Sequence, residues 1–491
     1  MRIRVGLAIV AAVAGVAAVV LGLRGGGTTL RPRPSQPVTE TPQLSIDVNT
    51  SPVLAVDARR PDVMAVAGRV DAPRLNCTVA VTTTGGDAWR PLELPPAPGV
   101  ENCFWPAVAF DGDGNLLVLY TPTGGPFNLP TGLWLQRFTT ELAADGAPVR
   151  VGGALTFQPR LAVEGRRVLV AWIAATEERA TKFLGFGPPP NPILLARSDD
   201  GGRTFSPPIT VSEPNRLAVQ PTLLAGPGGE VVVGALDLVD DRFTYQTAHE
   251  GRPGPAPSGP WRLVLWRSGD GGATFGPAAT VAEGVVPPQR VLIDLAPAPA
   301  FALDPPRRRT YATWETGRDV MLSRSDDGGT TWTPPRRVGP AAGGQFLPGV
   351  AVAPDGRVDV AYYDRSRDPD DVLAEVVLAS SADGGKSFVT KVVSERFDSM
   401  VGSFTGEDVM LGSHVAVSAQ AATTTVVWPD TTRGNRTTNV VDLVSATVEV
   451  RAGAGARVPF VAGGALLLVS AIALPWLGST VPRGERLARR R

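Results

Sequence analysis

Seven short segments of similar sequence recur along the chain and constrain its fold more than any other feature. Each is followed by a turn and a second run of alternating apolar residues, and two further short runs complete the unit. The segments begin at Pro52, Pro106, Pro159, Pro221, Pro299, Pro348 and Ser413, so successive starts lie 49 to 78 residues apart. Four strands repeated at this period are typical of a β-propeller. We therefore predict an all-β propeller of seven four-stranded blades over residues 43–450, with six blades as the alternative.

The last unit contains only three strand-like runs. An unpaired outer strand would leave an open sheet edge in the ring. We expect the segment Gln43–Val48, which precedes the first unit, to supply the missing strand and close the propeller.

A second phrase, SxDxGx[ST][FW], occurs four times, where the third strand of a unit turns into the fourth. An aspartate in such a turn can accept backbone N–H bonds, and glycine supplies a positive φ angle. We therefore assign the serine, aspartate and second glycine of each phrase, which we call a box, to the scaffold. These residues are Ser198, Asp200, Gly202, Ser268, Asp270, Gly272, Ser325, Asp327, Gly329, Ser381, Asp383 and Gly385.

Four such boxes in a predicted propeller resemble the Asp-box, or bacterial neuraminidase, repeats of the sialidase superfamily. The stretches Ala361–Asp371, Phe404–Ser418 and Val426–Asn435 are also similar to phrases of bacterial sialidase-like propellers. The resemblance implies a protein that acts on or binds glycans. Enzymes of the superfamily carry an aromatic-Arg-Ile-Pro motif that is missing here. We expect a binding or scaffold module for cell-envelope glycan or a protein partner, with a sialidase-type glycoside hydrolase as the alternative.

Long polar segments follow the second strands of several units, on the face of the propeller opposite the boxes. Variable polar loops on a rigid scaffold are the usual place for binding residues. In three units an acid lies next to an arginine, or three residues before one. The predicted ligand-binding residues are Glu315, Arg318, Asp364, Arg365, Asp430 and Arg433. Salt bridges and caps between neighbouring blades are the alternative role for these six residues.

Tyr362, Tyr363 and Asp364 are the candidates for catalysis. A tyrosine beside an acid can act as the nucleophile of a sialidase. Strand alternation sends the two tyrosines to opposite faces of their sheet, so at least one is expected to pack in the core.

The 47 basic and 47 acidic residues cancel, which gives no reason to expect a nucleic-acid partner. The two histidines, His249 in a loop and His414 at the start of a first strand, are too isolated to predict a zinc site or a Ser-His-Asp triad. We expect no metal and no other cofactor.

Both ends of the chain are apolar. We expect residues 1–24 to be a signal anchor or a signal peptide and residues 25–42 to be a flexible linker. Residues 451–457 would form a short stalk, and the uncharged segment Val458–Gly478 is long enough to cross a membrane as a helix. Five arginines in residues 479–491 predict a cytoplasmic tail, and thus an extracytoplasmic propeller on the cell membrane.

The chain contains two cysteines, Cys77 and Cys103. Disulfides persist in oxidising extracytoplasmic compartments, so we predict that these two residues pair. Two unpaired buried thiols are the alternative.

Overall fold

The computed structural model describes residues 28–41, 47–95, 102–125, 128–176, 190–241, 259–286, 297–401 and 411–451. The chain divides into two compact units, one made of Leu30–Glu449 and the other of Met1–Thr29 with Val450–Arg491. The two segments predicted to cross or enter a membrane lie outside the described residues. Within the described residues, no helix is long and apolar enough to cross a membrane.

The described strands form seven sheets, each with four main strands, so the prediction of a seven-bladed propeller is confirmed. Two short strands, β1 (Thr29–Pro32) and β2 (Gln36–Pro37), precede the first complete blade. Blade I consists of β3 (Asn49–Asp57), β4 (Arg60–Val70), β5 (Asn76–Thr82) and β6 (Arg90–Pro91). Blade II consists of β7 (Asn102–Phe110), β8 (Leu116–Gly124), β9 (Leu129–Pro130), β10 (Leu133–Phe138) and β11 (Val149–Gly152). Blade III consists of β12 (Thr156–Glu164), β13 (Arg167–Ala174), β14 (Ile193–Ser198) and β15 (Ile209–Thr210).

The remaining blades follow the same antiparallel order. Blade IV consists of β16 (Ala218–Ala225), β17 (Val231–Asp237), β18 (Trp261–Ser268) and β19 (Ala279–Val285). Blade V consists of β20 (Ala300–Asp304), β21 (Arg309–Thr316), β22 (Asp319–Ser325) and β23 (Arg336–Arg337). Blade VI consists of β24 (Gln345–Val352), β25 (Val358–Asp364), β26 (Leu373–Ser381), β27 (Val389–Val392) and the short β28 (Phe397–Asp398). Blade VII contains β29 (Ala416–Ala419), β30 (Thr423–Asp430) and β31 (Asp442–Arg451).

The ring is closed by a different segment from the one predicted. Strand β1 pairs with β31 and supplies the outer strand of blade VII, and β2 pairs with β31 as well. The prediction that Gln43–Val48 forms this strand is wrong. In that segment the structure describes only Asp47 and Val48, and Val48 makes a single parallel bridge to Val441. The edge of β31 offers a row of backbone donors and acceptors, which an extended segment can satisfy even when it is rich in proline.

Each box forms a hydrogen-bonded turn between the third and fourth strands. In blade III the Ser198 hydroxyl donates to Asp200 Oδ1 at 2.6 Å and accepts the Gly202 amide at 2.8 Å. Asp200 also accepts the Thr204 amide and hydroxyl at 3.0 and 2.6 Å. The other three boxes repeat this pattern. The boxes are therefore turns that hold the scaffold.

An arginine from the preceding blade contacts several of these turns. Arg324 of blade V donates to the Gly384 carbonyl of blade VI at 2.8 Å, and Arg137 of blade II donates to the Gly201 carbonyl of blade III. In blade VI, Arg357 donates to the Gln420 carbonyl of blade VII at 2.8 Å. These bonds join successive blades on one face of the propeller. We call this the box face, because it carries the boxes and the turns between first and second strands.

The opposite face carries the loops between second and third strands and the links between blades, and we call it the loop face. Cys77 at the start of β5 and Cys103 at the start of β7 are joined by a disulfide on this face. The bond links blade I to blade II. Between the blades, the buried core is formed by Val, Leu, Ala and aromatic side chains of neighbouring sheets.

Candidate functional site

The first strands of successive blades contact one another around the ring and so surround its central channel. Aligning the seven repeats on their first residue places one residue of each blade at an equivalent position near the loop face. We call these residues the mouth ring. They are Val53, Ala107, Arg160, Thr222, Ala300, Gly349 and His414. Five are small or uncharged, so Arg160 and His414 are the two titratable members.

A β-bulge lies immediately before this position in five blades. The bulged residue precedes a proline and has a positive φ angle of 46° to 52°. These residues are Ser51, Trp105, Gln158, Gln220 and Leu347, each at a shift in the register of the first strand. A bulge releases backbone groups from the ladder and re-aims the strand. At Gln220, for example, the backbone amide donates to Gln158 Oε1 of the neighbouring blade at 2.7 Å.

Arg160 follows the bulge of blade III and is only partly exposed. Its Nη2 donates to Gln220 Oε1 at 3.2 Å and its Nη1 to the Pro159 carbonyl at 3.0 Å. In the part of the chain that the structure describes, no carboxylate lies within ion-pair distance of its guanidinium. Burial, together with the charge of Arg69, lowers the pKa of Arg160 to about 10. The side chain therefore stays protonated at neutral pH, and no carboxylate of the described residues balances its charge.

Arg69, near the end of β4, is buried but paired. Its Nε lies 2.6 Å from Asp71 Oδ1, its Nη2 donates to Asp71 Oδ2 at 3.0 Å, and its guanidinium lies 4.7 Å from the centre of the Phe104 ring. Asp71 therefore offsets part of the charge of Arg69, which still acts on Arg160 and His414.

His414 is the blade VII member of the mouth ring. Its Nδ1 lies 2.9 Å from the Ser413 hydroxyl, and the Ser413 amide donates to Ser51 Oγ of blade I at 3.1 Å. Burial and the positive charges of Arg160 and Arg69 lower the pKa of His414 to about 3, although a hydrogen bond with the Pro52 carbonyl opposes the shift. His414 is thus a neutral imidazole in a positive electrostatic environment.

This arrangement suits an anion. A partly desolvated guanidinium without a carboxylate partner can form strong charge-assisted hydrogen bonds to a carboxylate, sulfate or phosphate. The neutral His414 ring can add a polar contact. Within the described residues, no group of three or more His, Cys, Asp or Glu side chains could hold a metal ion.

The three acids predicted to bind ligand are buried and accept hydrogen bonds from their own chain. Glu315 Oε2 accepts the Leu347 amide at 3.0 Å. Asp364 Oδ1 accepts the Ser366 amide at 2.8 Å, and Asp430 Oδ2 accepts the Trp428 indole N–H at 2.9 Å. These contacts are caps of loops and of a bulge on the loop face.

The three predicted arginines pair with residues other than the neighbouring acids in the sequence. Arg318 lies 2.7 Å from Asp371, and Arg433 lies 3.0 Å from Asp442. Arg365 donates to Ser399 Oγ at 3.1 Å, with its guanidinium 4.8 Å from the centre of the Phe346 ring. The six residues therefore do not form one cluster of paired charges. Glu315 and Arg318 bond across the boundary between blades V and VI, whereas these bonds of the other four residues lie within their own blades.

The two tyrosines among the three catalytic candidates on β25 lie in different surroundings. Tyr363 is fully buried, donates to the Pro429 carbonyl at 2.9 Å and stacks on Phe346 with ring centres 5.0 Å apart. Burial and, secondarily, the charge of Asp430 raise the pKa of Tyr363 well above its ordinary value. Tyr362 is also fully buried and lines a pocket together with Asp364. Burial and then the Asp364 charge raise the pKa of Tyr362 as well, which opposes formation of a phenolate at either hydroxyl.

Sequence reasoning missed Arg160 and Arg69 and set His414 aside. A signal was present, because the second residue of the repeated segment is Val, Ala, Thr, Ala or Gly in five units but Arg160 or His414 in the other two. A titratable residue where the repeat otherwise has a small or uncharged one indicates a role outside the scaffold.

No family model and no curated protein matches this sequence. Solved structures similar to it include a protein of unknown function from Dyadobacter fermentans, with 14% identity over 86% of this chain and 99% of that one and a TM-score of 0.44. A Hadza microbial sialidase has 15% identity over 81% and 74% of the two chains, with a TM-score of 0.43. An ulvan lyase, from a polysaccharide lyase family, has 13% identity over 78% and 92%, with a TM-score of 0.47. Likenesses this distant leave the function to be argued from the site itself.

Proposed function

We propose that the protein is a binding module that holds an acidic glycan at the loop-face mouth of its central channel. The observation that carries this proposal is the guanidinium of Arg160, partly buried and without a carboxylate partner among the described residues. An unbalanced buried charge is costly unless a counter-ion compensates it. A ligand carboxylate or sulfate group would compensate that charge when bound.

The surroundings of Arg160 favour a glycan over a simple inorganic ion. The neutral imidazole of His414 belongs to the same mouth ring, and the buried side chains of Gln220 and Ser413 bond to Arg160 and His414 respectively. Such groups both donate and accept hydrogen bonds, which matches the hydroxyl groups of a sugar. An acidic sugar combines those hydroxyls with a negative charge that would balance the positive charge of Arg160.

A binding experiment with the full-length protein tests this proposal. The probes are acidic oligosaccharides containing sialic or uronic acid, each paired with its carboxyl-reduced form. We expect binding of the acidic form and at least about tenfold weaker binding of the reduced form, because a hydrogen bond to a charged group contributes about 1.5–3 kcal/mol. Equal affinity for both forms, or no binding of any acidic glycan, would contradict the proposal.

Glycoside hydrolysis, the alternative expected from the sequence, has no specific support in the described residues. The Tyr363 hydroxyl is committed to a backbone carbonyl, and the Tyr362 hydroxyl is fully buried. Asp364 caps a turn. We therefore do not propose hydrolysis.

We also propose that the chain is attached to the cell membrane with its propeller outside the cytoplasm. The support is the uncharged segment Val458–Gly478 followed by five arginines, together with the uncharged segment Val5–Leu23. A C-terminal reporter should resist protease added to intact cells and be digested after lysis. Digestion of the reporter in intact cells would overturn this topology.

A further inference from the structure

A pocket of about 610 Å³ lies on the side of blade VI that faces blade V. The strand register of blade VI places Tyr362, Val377 and Val392 side by side on one face of the sheet, and all three line the pocket. Residues 338–340, in the link between the two blades, complete the apolar wall. The volume is in the range of sites that hold small molecules. The pocket and the mouth ring share no residue.

Asp364 is the acidic residue of the pocket lining. It follows Tyr362 by two positions on β25, so both side chains lie on the same face of the sheet. Asp364 is only 8% exposed. Its Oδ1 accepts the Ser366 amide at 2.8 Å and Nε2 of Gln345 at 3.1 Å, as an ionised carboxylate can. Its Oδ2 accepts no hydrogen bond in the described part of the chain and, unlike the Tyr362 hydroxyl, is not sealed from solvent.

The arginines nearest to Asp364 in the sequence are bonded to other residues. Arg365 donates to Ser399 Oγ at 3.1 Å. Arg367, which also lines the pocket, lies 3.2 Å from Glu375. No Lys, Arg or His among the described residues lies within ion-pair distance of the Asp364 carboxylate. The charge of Asp364 therefore has no cationic partner in this part of the chain.

A second carboxylate adds to the negative potential at this position. Glu375 on β26 lies directly opposite Asp364 and is buried to the same extent. Like charges opposite each other on one face of a sheet are unfavourable. Two arginines lie 3.2 and 3.6 Å from Glu375 and offset its charge. Of the two acids, Asp364 is the one left without a cation.

Lys391 belongs to the pocket lining, but its side chain is directed to the other face of the sheet. It pairs with Leu378, which packs in the core between blades VI and VII. Residues opposite each other on paired strands share a face, and Val392, the next residue, lies on the pocket side. Among the described residues, the pocket thus combines an apolar wall with one uncompensated negative charge.

We propose that this pocket binds a small organic ammonium ion. The ammonium group would donate a hydrogen bond to Oδ2 of Asp364, and the apolar body of the ligand would contact Val377 and Val392. A mostly buried carboxylate is costly without a counter-ion, and a charge-assisted bond to an ammonium compensates that cost. A calcium ion would require six to eight oxygen ligands, which one free carboxylate oxygen does not provide. This site is separate from the proposed function at the mouth ring.

Calorimetric titration of the full-length protein with benzylammonium and with benzyl alcohol tests the proposal. The two probes share a ring and a methylene group and differ in the charged group. We expect benzylammonium to bind at least about tenfold more tightly, because a hydrogen bond between charged groups is lost with the alcohol. Asp364→Asn should remove this preference. Asp370→Asn, at an exposed aspartate of the loop that follows β25, should keep it.

A second variant leaves the bonds of Asp364 intact. Val392→Phe fills the pocket from the outer strand and should weaken the binding of both probes by about tenfold or more. Val389→Phe, at an exposed residue of the same strand outside the pocket lining, is the matched control and should bind as the wild-type protein does. The melting temperature of each unliganded variant establishes that it is folded.

Three results would overturn the proposal. They are no binding of benzylammonium, equal affinity for benzylammonium and benzyl alcohol, and unchanged affinity in folded Asp364→Asn or Val392→Phe protein. Arg160→Gln should leave the binding of benzylammonium unchanged. A failure of this site can therefore be distinguished from a failure of acidic-glycan binding at the mouth ring.

Discussion

The backbone amide of Leu347 donates a 3.0 Å hydrogen bond to Oε2 of Glu315, across the boundary between blades V and VI. Leu347 is the bulge residue of its strand, with a φ angle of 51°. The bulge removes this amide from the sheet ladder, and a carboxylate of the preceding blade accepts it instead. Glu315, which the sequence predicts to bind ligand because an arginine follows three residues later, thus stabilises β24, the first strand of blade VI.

Replacing this carboxylate should affect stability and not binding. We expect Glu315→Ala to lower the free energy of unfolding by about 1–3 kcal/mol, because a buried amide loses its acceptor. Urea unfolding of the variant measures the change, with Glu395→Ala, at an exposed residue, as the matched control. A loss of glycan affinity at unchanged stability would show that Glu315 contacts ligand.

The buried pair of Arg357 and Asp359 should contribute strongly to the junction between blades VI and VII. Arg357 Nε lies 3.1 Å from Asp359 Oδ2, and Arg357 Nη2 also donates to Thr424 Oγ1 of blade VII at 3.1 Å. Arg357→Leu leaves Asp359 as an uncompensated buried charge, so we expect a loss of about 3–5 kcal/mol.

A double-mutant cycle with Asp359→Leu separates the pair from its surroundings. We expect the double variant to be more stable than Arg357→Leu alone, because both charges are then removed. Additive losses in the two single variants would indicate that the two side chains act separately.

The disulfide between blades I and II should stabilise the propeller. The two cysteines are 26 residues apart, and a loop of that length corresponds to about 3 kcal/mol in the chain-entropy model. We expect the Cys77→Ala/Cys103→Ala variant to unfold at lower urea and to be insensitive to reductant. If reductant destabilises this variant as much as the wild-type protein, the stability lost on reduction does not come from the Cys77–Cys103 disulfide.

His414 should make the protein sensitive to mild acid. The pKa of His414 is about 3 in the folded protein, against 6.5 for an ordinary histidine. As the pH falls below 6.5 the unfolded chain binds a proton that the folded chain does not, so stability declines until the pH reaches the folded value. The slope is at most about 1.4 kcal/mol per pH unit.

Unfolding measured at pH 7.5 and at pH 5.0 tests this expectation. His414→Gln should lose less stability than the wild-type protein between these two values, by at most about 2 kcal/mol. An equal loss in both proteins would mean that His414 is not the group responsible.

The blades could be predicted from sequence because each signal is local. Alternation of apolar residues indicates strands, and a box such as Ser325–Trp332 specifies its own turn through bonds among its own residues. The closing strand was misplaced because Thr29–Pro32 has no strand pattern of its own. It forms a strand because its backbone pairs with the edge of β31, which lies some 400 residues later in the chain.

The site was harder to predict because pairing between distant residues decides which charges remain available. Arg318 and Arg433 resemble ligand-binding arginines in the sequence, yet Asp371 and Asp442 neutralise them in the fold. Arg160 lies inside a repeated strand segment and resembles scaffold. Its place beside the channel follows from the ring of first strands, which no single repeat encodes.

The affinity of the Arg160→Gln variant for an acidic oligosaccharide tests the central claim most directly. The comparison uses the full-length protein, an acidic ligand that the wild-type protein binds, and Arg166→Gln as a control at an exposed arginine on the box face. We predict that Arg160→Gln weakens binding by about 10–100-fold while Arg166→Gln leaves it unchanged. Arg160→Lys should keep part of the affinity, because it retains the charge but not the planar donors. Unchanged affinity in a folded Arg160→Gln protein would contradict the account.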